Sequence, residues 1–579
     1  MSSASARLRS VEAGLPSWTP TAAALILLAA LLVPIARPYL QAGYQLGHDR
    51  HVPFLRVLAL EEALAAGQIP PRWFPDFDGG YGSPYPSFYA MLFYYVAAGF
   101  HILGLSLGAS VELTAFLTMA ASGLTMFLLV RHLWGPAAGL LSAGLYVYAP
   151  YHLVDAFVRG AYSELTSFIW FPLILLAMLK LADRWSFRWL VIGSLSIAAL
   201  ILTHNIMPMI FLPGLVAIGL ALLYFGPQGR KRWAVLWSWA RLAVLGALLS
   251  AFFWMPIVFD RDLIQTDYFL RVTFHDEFAG LGELLGTTLT YGLTNEIGVP
   301  LLVAAVAGLT TSFQAMNTDR QRALLVSLAT LAALWLFFVN HRSAWFWMNL
   351  PLLPFVQLPW RFLAPVTFVL AVLSGRLLGS KRSVTSRWAI AFLIPLVAIQ
   401  VHEVLIELPN RMEAEQLNQS QQCADVWGTQ DYRPRWSEAA SWWSTVAPVP
   451  EDGSPVLEPC PSDLVDGHSS SIRLVSEHRG QSQWMLSVAA EAPGIVTLSQ
   501  FYYPSWIVQM DGEPIESSPS PKTGLLQLAV PSGRYLLSGQ LGRTPAQTAG
   551  LVVSISTLAA SIFWIVSWRL RTARQISGS

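Results

Sequence analysis

The sequence is poor in charged residues and in cysteine. Charged residues make up 12% of its 579 residues, and 54% are hydrophobic, whereas soluble domains average about 25% charged residues. Because so few polar side chains could not cover a water-soluble fold, such a fold is excluded. The net charge is +1 and no basic stripe interleaves with aromatic residues, so nucleic acid is not an expected partner.

The common nucleotide-binding and hydrolase motifs are also missing. We find no Walker lysine loop, GxSxG elbow, HExxH helix or dinucleotide-binding glycine motif in a supporting context. Chemistry on a soluble nucleotide is therefore not expected. No cofactor is predicted with certainty, although a divalent metal ion stays open.

Apolar runs of about twenty residues are abundant, from Thr21 to Leu378 and once more near the C-terminus. Each is long enough to cross a hydrocarbon core of roughly 30 Å. The first run follows two arginines as in a signal peptide, but Pro34 and Arg37 replace a small-residue cleavage site. We therefore interpret it as a retained first span.

Basic clusters between the apolar runs predict the topology, because loops rich in Lys and Arg stay in the cytoplasm. The clusters are Arg131 with His132, Arg184 with Arg188, Arg230 to Arg232, Arg320 with Arg322, Lys381 and Arg382 with Arg387, and Arg569 with Arg571 and Arg574. About twelve spans place all of them inside: 21–40, 109–130, 136–150, 165–182, 187–204, 206–225, 235–257, 293–313, 323–340, 361–378, 387–406 and 547–568. A crossing at 86–105 would place every cluster outside, so we predict that this run lies on or dips into the outer face.

The predicted fold is therefore an all-α polytopic membrane bundle in the cell (cytoplasmic or inner) membrane. The bundle covers residues 1–406, and its outer loops are 41–108, 151–164, 258–292 and 341–360. A β-rich domain outside the cytoplasm, 407–545, precedes a last transmembrane helix with a cytoplasmic tail, 546–579.

Period-two hydrophobic patterns in the outer domain predict a small β-sandwich. The pattern is clear at 472–474, 484–488, 496–498 and 526–530, with turns at Asp511-Gly512 and Ser532-Gly533. The two cysteines, Cys423 and Cys460, both lie in this domain. Because the topology places them in an oxidising compartment, we expect a disulfide between them.

The first outer loop begins with Gly47-His48-Asp49-Arg50-His51 and continues into an amphipathic stretch, 54–66, that suits a helix on the membrane surface. A carboxylate such as Asp49, just outside a span, could take a proton from a hydroxyl group. With Asp76 or Asp78 it could instead hold a metal ion. It could also simply cap the surface helix.

Further charged residues are predicted at the same face. Asp155, Arg159 and Glu164 lie in the second outer loop, and His204 ends a span. Charges at one membrane interface inside a bundle indicate a functional site, although paired solvated charges would look alike. Arg361 enters a span from outside, where a guanidinium can bind a phosphate, or can snorkel beside an aromatic belt.

Several segments in a fixed order resemble the YfhO-like bacterial membrane proteins, within the GT-C class of glycosyltransferases. They are Gly47-His48-Asp49, Pro71-Arg72-Trp73, Gly80-Tyr81-Gly82, Gln357-Leu358-Pro359-Trp360-Arg361, and Phe501 to Trp506 leading to Asp511-Gly512. Some such proteins carry a label relating them to 6-pyruvoyl-tetrahydropterin synthase, but no zinc-ligand trio or pterin fold is found here. The resemblance spans nearly the whole chain, although each motif is short.

The resemblance implies inverting transfer of a sugar from a polyprenyl-phosphate carrier to an acceptor glycan, lipid or protein on the outer face. In that class an acidic residue of the first outer loop acts as the base, which here matches Asp49. The chain departs from the relatives with paired acidic residues, because His48 and Arg50 flank Asp49. The candidate substrate-binding residues are His48, Arg72, Asp76, Asp78, Asp155, Arg159, Glu164, His204, Gln357 and Arg361.

Two other function classes stay open at this point. One is a transporter or flippase-like protein that binds a lipid or glycan, for which charges near mid-bilayer and repeated halves would be expected. The other is a non-catalytic assembly protein of the cell envelope, whose β-domain binds polysaccharide.

Overall fold

The computed structural model describes residues 19–41, 44–45, 48–49, 52–226, 230–265, 274, 277–285, 296–313, 318–379, 411–412, 432–437, 463–521 and 523–577. The predicted span 387–406, the basic cluster at 381–387 and the predicted disulfide between Cys423 and Cys460 lie outside these residues.

The described part of the bundle is built mainly of helices. In chain order they are α1 (Thr19–Tyr39), α2 (Val52–Ala65), α3 (Leu92–Ile102), α4 (Leu107–Trp134), α5 (Pro136–Val147), α6 (Pro150–Leu153), α7 (Tyr162–Asp183), α8 (Phe187–Thr203), α9 (Met207–Phe225), α10 (Arg232–Leu249), α11 (Ala251–Phe259), α12 (Leu281–Leu284), α13 (Val299–Phe313), α14 (Asp319–Val339), α15 (Ala344–Asn349), α16 (Leu363–Gly379) and α17 (Pro545–Ser577).

Eight of the described helices are long and apolar enough to cross a membrane, as expected for a multi-pass membrane protein. They are α1, α4, α7, α9, α10, α14, α16 with the turn before it, and α17. The shorter apolar helices α5, α8 and α13 occupy three more of the predicted spans. The total of about twelve crossings stays a prediction.

Helix α3 occupies the run that we predicted not to cross. Its eleven residues extend about 16 Å at roughly 1.5 Å per residue, about half of the hydrocarbon thickness. Just before it, the Ala90 amide donates to Asn205 Oδ1 at 3.0 Å, and near its end His101 pairs with Glu61 of α2 at 2.8 Å. Both ends thus contact segments that the prediction assigns to one face, and the statement that 86–105 does not cross stays a prediction.

Three of the basic clusters meet at one end of the bundle, around Asp183. His132 Nε2 lies 3.4 Å from Asp183 Oδ2, and Arg320 forms an ion pair with the same carboxylate. Arg230 donates to the carbonyl of Leu181, two residues before Asp183. These contacts agree with the assignment of the clusters to a common side of the membrane.

The predicted outer loops meet at the opposite end. Trp360 Nε1 donates to Glu277 Oε2 at 3.0 Å, which joins the loops 341–360 and 258–292. Thr544, at the end of the β-rich domain, donates to Asp260 at 2.5 Å. The β-rich domain and these loops therefore lie at the same end of the molecule.

The β-rich domain contains two antiparallel sheets that share one core. Their strands are β3 (Val465–His468), β4 (Ile472–Arg479), β5 (Gln483–Ala490), β6 (Gly494–Phe501), β7 (Trp506–Met510), β8 (Glu513–Pro514), β9 (Ser517–Pro519), β10 (Leu525–Val530) and β11 (Gly533–Leu541). One sheet has the order β3-β6-β10-β9 and the other β4-β5-β11-β7-β8. Leu486 and Val488 of one sheet share a buried cluster with Leu498 and Leu528 of the other. The four predicted period-two stretches lie in β4, β5, β6 and β10. A separate short pair joins β1 (Tyr44–Gln45) to β2 (Arg411–Met412).

The second half of the first outer loop belongs to the core of this β-rich domain. Trp73 is buried among the strand residues, and its ring lies 5.8 Å from that of Tyr503. Gly82 has φ +84°, and a Cβ there would come within 2.5 Å of the Trp73 ring, so only glycine fits. The Phe501 amide donates to the Tyr81 carbonyl at 2.8 Å.

Candidate functional site

The candidate site is built on a break in the helical chain between α6 and α7. A π-helical segment, Val154–Arg159, ends at Gly160, which adopts a left-handed conformation with φ +69°. Glycine reaches that conformation without strain, and single π turns recur at functional sites. The break places Asp155 and Arg159 next to Glu164 on the first turn of α7.

Arg159 lies at the centre of a buried cluster of charges. It forms an ion pair with Asp155, and both of its terminal nitrogens lie 3.2 Å from Glu164 Oε2. The Tyr151 hydroxyl donates to Glu164 Oε1 at 2.5 Å. The guanidinium also stacks 4.3 Å from the centre of the Trp360 ring. Two carboxylates therefore already neutralise Arg159.

Arg361 lies on the other side of Glu164, with fewer partners. Its Nε is 3.9 Å from Glu164 Oε2, which is beyond hydrogen-bond distance. One terminal nitrogen donates to the Gln357 side chain at 2.6 Å and to the Val356 carbonyl at 2.9 Å. Gln357 adopts φ +68°, an uncommon conformation for a residue other than glycine. The buried Nε has no hydrogen-bond partner among the described residues.

Asp49 is fixed against this cluster by its backbone. Its amide donates to the Arg159 carbonyl at 3.0 Å, and the His48 amide donates to the Val158 carbonyl at 2.9 Å. The Asp49 side chain is partly exposed and that of His48 is exposed. Because the first outer loop pairs directly with the π segment, Asp49 lies beside the charged cluster and is partly exposed.

The surroundings of Asp49 raise its pKa from the ordinary value. Burial is the main cause, and the positive charges of Arg56, Arg159 and Arg361 oppose it. Burial and Arg159 lower the pKa of His48, so its ring stays neutral near pH 7. Burial, followed by the charge of Glu164, raises the pKa of Asp155 well above the ordinary value. Raised carboxylate pKa values at an accessible cluster are typical of acid–base sites.

Arg56 is a member of the site that the sequence did not reveal. It is buried on α2, and its Nη1 donates to the hydroxyls of Tyr94 at 2.7 Å and Tyr89 at 3.1 Å. Its guanidinium lies 4.4 Å from the centre of the Tyr89 ring. The available signal was a lone arginine inside an apolar helical stretch, next to the tyrosine-rich run that follows.

His204 is brought to the same face as predicted. Its Nδ1 accepts from the amides of Ile206 and Met207 at 3.1 and 3.2 Å, so the ring caps the start of α9. It lies close enough to Glu164 for their charges to interact. The neighbouring Asn205 donates to the Phe88 carbonyl at 2.6 Å, which ties the first outer loop to this end.

The structure does not bring Arg72, Asp76 and Asp78 into the cluster. Arg72 donates to the carbonyls of Gly542 at 3.0 Å and Leu541 at 3.4 Å, at the end of β11. Asp78 is buried, with φ +54°, and accepts from Arg433 at 3.1 Å. Asp76 is exposed. These three residues lie where the loop packs against the β-rich domain.

The arrangement can accept a proton and stabilise negative charge at one place. Asp49 supplies a carboxylate, and Arg361 a guanidinium with an unused N–H. Among the residues that the structure describes, no group of three or more His, Cys, Asp or Glu could hold a metal ion.

Comparison with known proteins gives distant similarities. No family model matches the chain. An uncharacterized protein of Lactococcus lactis subsp. cremoris (strain MG1363) is 25% identical over 227 residues, which cover 38% of this chain and 37% of that protein. The match thus spans little more than a third of the relative's length.

Several solved structures are also similar at low identity. The arabinofuranosyltransferase AftD from Mycobacteria is 16% identical with a TM-score of 0.43, over 68% of this chain and 27% of that one. ArnT from Cupriavidus metallidurans is 16% identical with a TM-score of 0.41, over 66% and 75%. The oligosaccharyltransferase from Archaeoglobus fulgidus is 15% identical with a TM-score of 0.41, over 77% and 60%. Similarity at this level transfers neither residues nor activity.

Proposed function

We propose that this protein is a membrane glycosyltransferase that moves a sugar from a polyprenyl-phosphate carrier to a hydroxyl acceptor on the outer face of the membrane. The observation that carries the proposal is the position of Asp49. Its carboxylate is partly exposed, has a raised pKa, and is held by backbone hydrogen bonds beside a cluster that contains Arg361.

In the proposed reaction the acceptor oxygen attacks the anomeric carbon of the sugar, and its proton passes to Asp49. The bond between that carbon and the carrier phosphate oxygen breaks, and the phosphate leaves with the bonding electrons. Attack from the side opposite the phosphate inverts the anomeric configuration. A base with a pKa nearer to neutrality than an ordinary aspartate suits this step.

Arg361 is the group that we assign to the leaving phosphate. A guanidinium binds phosphate through charge-assisted hydrogen bonds, and stabilising the developing charge is commonly the largest contribution to catalysis. Arg159 is less suitable, because Asp155 and Glu164 already occupy it. We therefore assign Arg159 a positioning role. Its backbone carbonyl accepts a hydrogen bond from the backbone amide of Asp49.

The raised pKa of Asp155 also fits a phosphate ligand. Three carboxylates, Asp49, Asp155 and Glu164, face three arginines, Arg56, Arg159 and Arg361, so the fully ionised cluster is neutral. The raised pKa of Asp155 shifts this balance toward positive charge. A shift of that sign favours a ligand with a phosphate group.

The topology belongs to the same proposal. The end of the molecule with Asp49 and the β-rich domain faces outside, and the end with Asp183, His132 and Arg320 faces the cytoplasm, as the positive-inside bias predicts. The β-rich domain lies close enough to present an acceptor glycan, lipid or protein, because the first outer loop packs into its core.

The direct test is sugar transfer by the purified full chain, using radiolabelled polyprenyl-phosphate sugars and extracted membrane material as acceptor. We expect label in a product, and none when Asp49 is changed to Asn. Protein-dependent movement of the labelled lipid across vesicles without a new glycosidic product would instead favour the flippase-like class. Binding of glycan by the β-rich domain with no transfer would favour an assembly role.

A further inference from the structure

A second feature of the molecule is an apolar groove on the side of the helical bundle. It lies between α8, the junction of α10 with α11, and α17, and its volume is about 680 Å³. Its described lining is almost entirely aliphatic and aromatic. The polar exceptions, Ser196 and Ser554, are satisfied, because they donate to the carbonyls of Ile192 at 2.7 Å and Leu248 at 3.1 Å.

The groove continues into a smaller cavity of about 200 Å³ at the end of the bundle that carries the first outer loop. Leu92, Leu202 and Phe252 line both spaces, so the two are adjacent. The lining of the cavity includes two arginines, Arg72 and Arg543. Along this path the walls change from purely apolar to cationic.

The two arginines have spare hydrogen-bond donors, and neither forms an ion pair with an acidic residue in the described part of the chain. Arg72 uses three of its N–H groups on backbone carbonyls, and the exposed Arg543 uses one, on the Ile69 carbonyl at 2.9 Å. A guanidinium has five such donors. No Asp or Glu is found among the described residues that line the groove or the cavity. Burial and the charge of Arg543 lower the pKa of Arg72 to about 10, which is further evidence that the two cations are close.

We infer that this groove and cavity bind a membrane lipid with a phosphate headgroup. The hydrocarbon chain lies in the apolar groove, and the phosphate lies at Arg72 and Arg543. A groove between spanning helices faces lipid chains already, and basic pockets at its end suit anionic headgroups. Guanidinium groups bind phosphate oxygens through charge-assisted hydrogen bonds.

This site is distinct from the Asp49 cluster, although only the side chain of Tyr89 lies between the two. Tyr89 lines the cavity, and its hydroxyl accepts from Arg56 Nη1 at 3.1 Å. The inference therefore does not depend on sugar transfer. The site could hold a lipid whether or not the protein is an enzyme.

The test is lipid binding by the purified full chain in detergent, followed by native mass spectrometry during titration with dioleoyl phosphatidylglycerol. We expect one retained lipid and roughly ten-fold weaker binding by Arg543→Gln, because one charge-assisted contact is lost. Ala199→Phe, which narrows the groove without touching a charge, should weaken binding as well. The matched control is Arg534→Gln, an exposed arginine at the far end of β11, which should bind like the unchanged protein.

Two further ligands test separately how much the headgroup and the hydrocarbon chains contribute to binding. Dioleoyl phosphatidylcholine, with the same chains and no net charge, should bind more weakly, and inorganic phosphate should not displace phosphatidylglycerol. Unchanged binding by Arg543→Gln, or an equal loss in Arg534→Gln, would overturn the assignment to this arginine pair. Displacement by inorganic phosphate, or full binding by Ala199→Phe, would show a site for a free anion and overturn the lipid site.

Discussion

The two halves of the first outer loop carry similar charges and put them to different uses. In the first half, Asp49 and Arg56 face the cluster around Arg159 and Glu164 in the helical bundle. In the second half, Arg72 bonds to the carbonyls of Leu541 and Gly542 at the end of the β-rich domain, and Asp78 pairs with Arg433. One half builds the candidate site, and the other attaches the β-rich domain to the bundle.

The two halves differ in the partners that form hydrogen bonds and ion pairs with their charged side chains. Arg72 and Asp78 bond to fixed protein partners and have little remaining role at Asp49. Asp49 has a partly exposed carboxylate, and Arg361 keeps a buried N–H without a hydrogen bond in the described structure. At the candidate site, a partly exposed aspartate and a buried guanidinium N–H without a hydrogen bond among the described residues belong to one cluster, and this combination distinguishes it from the second half of the loop.

The largest effect that this comparison predicts is on Asp49. Asp49→Asn should lower the rate of sugar transfer by about 10²- to 10⁴-fold, because the amide is nearly isosteric but cannot accept a proton. The measurement is initial transfer rate on purified protein with an unchanged unfolding temperature. Asp76→Asn, an exposed aspartate in the second half of the loop, is the matched control and should transfer normally. If Asp76→Asn lost activity and Asp49→Asn kept it, the assignment of the two halves would be reversed.

The next largest effect is on stability. Arg159→Ala should destabilise the bundle by about 3–5 kcal/mol, because it leaves the buried Asp155 and Glu164 without their cation. Asp78→Asn should break the buried pair with Arg433 and loosen the outer domain instead. Thermal unfolding and limited proteolysis of the two variants separate these outcomes.

Arg435→Gln, an exposed neighbour of Arg433, is the control for both stability variants. An Arg159→Ala protein as stable as the unchanged one would show that the cluster does not hold the π segment. Arg159 could then bind the donor directly, as the sequence alone suggested.

Much of this architecture follows from the sequence. Apolar length and basic clusters predicted the helices, because a hydrocarbon core demands both. Alternation predicted the strands β4, β5, β6 and β10, because apolar residues such as Ile472, Leu486 and Leu498 point into the shared core. The loop containing Asp49 and the segment 357–361 were identified as candidates from the types of their residues and their order.

The sequence could not predict which charged residues of the first outer loop join the candidate site and which contact the β-rich domain. It depends on contacts between residues far apart in sequence, such as Asp78 with Arg433 and Arg72 with Gly542. The role of Arg56 could not be predicted either, because an arginine in an amphipathic stretch ordinarily points to water. Its burial among Tyr85, Tyr89 and Tyr94 requires the tertiary fold.

A smaller effect is expected at Arg361. Arg361→Gln should raise the KM for the lipid-linked donor by roughly ten-fold, because one charge-assisted contact to phosphate is lost. The fold should be kept, since the glutamine removes no partner of a buried carboxylate at hydrogen-bond distance. Arg342→Gln, an exposed arginine in the loop 341–360, should leave KM unchanged. A drop in unfolding temperature without a change in KM would mean that Arg361 only balances Glu164.

The smallest expected effect is on the dependence of the transfer rate on pH. The fall in rate on the acid side should be shifted to higher pH. A base must be deprotonated, so the transfer rate should fall as the pH drops through the pKa of Asp49. Because that pKa is raised above 3.8, chiefly by burial, the fall should begin at a higher pH than for an ordinary aspartate. Titration of His48 should cause no further change in the transfer rate near pH 6.5, since the pKa of His48 is lowered.

The same shift fixes the sign of the effect on stability. A carboxylate whose pKa is raised by folding opposes folding above that pKa, and this penalty disappears as the pH falls through it. Asp49→Asn should therefore be at least as stable as the unchanged protein near pH 7, and the two unfolding temperatures should converge in acid. Paired unfolding and activity profiles from pH 4 to pH 8 test both signs. A variant that is less stable only near neutral pH would mean that the Asp49 carboxylate forms a stabilising ion pair, and would place the proton acceptor elsewhere.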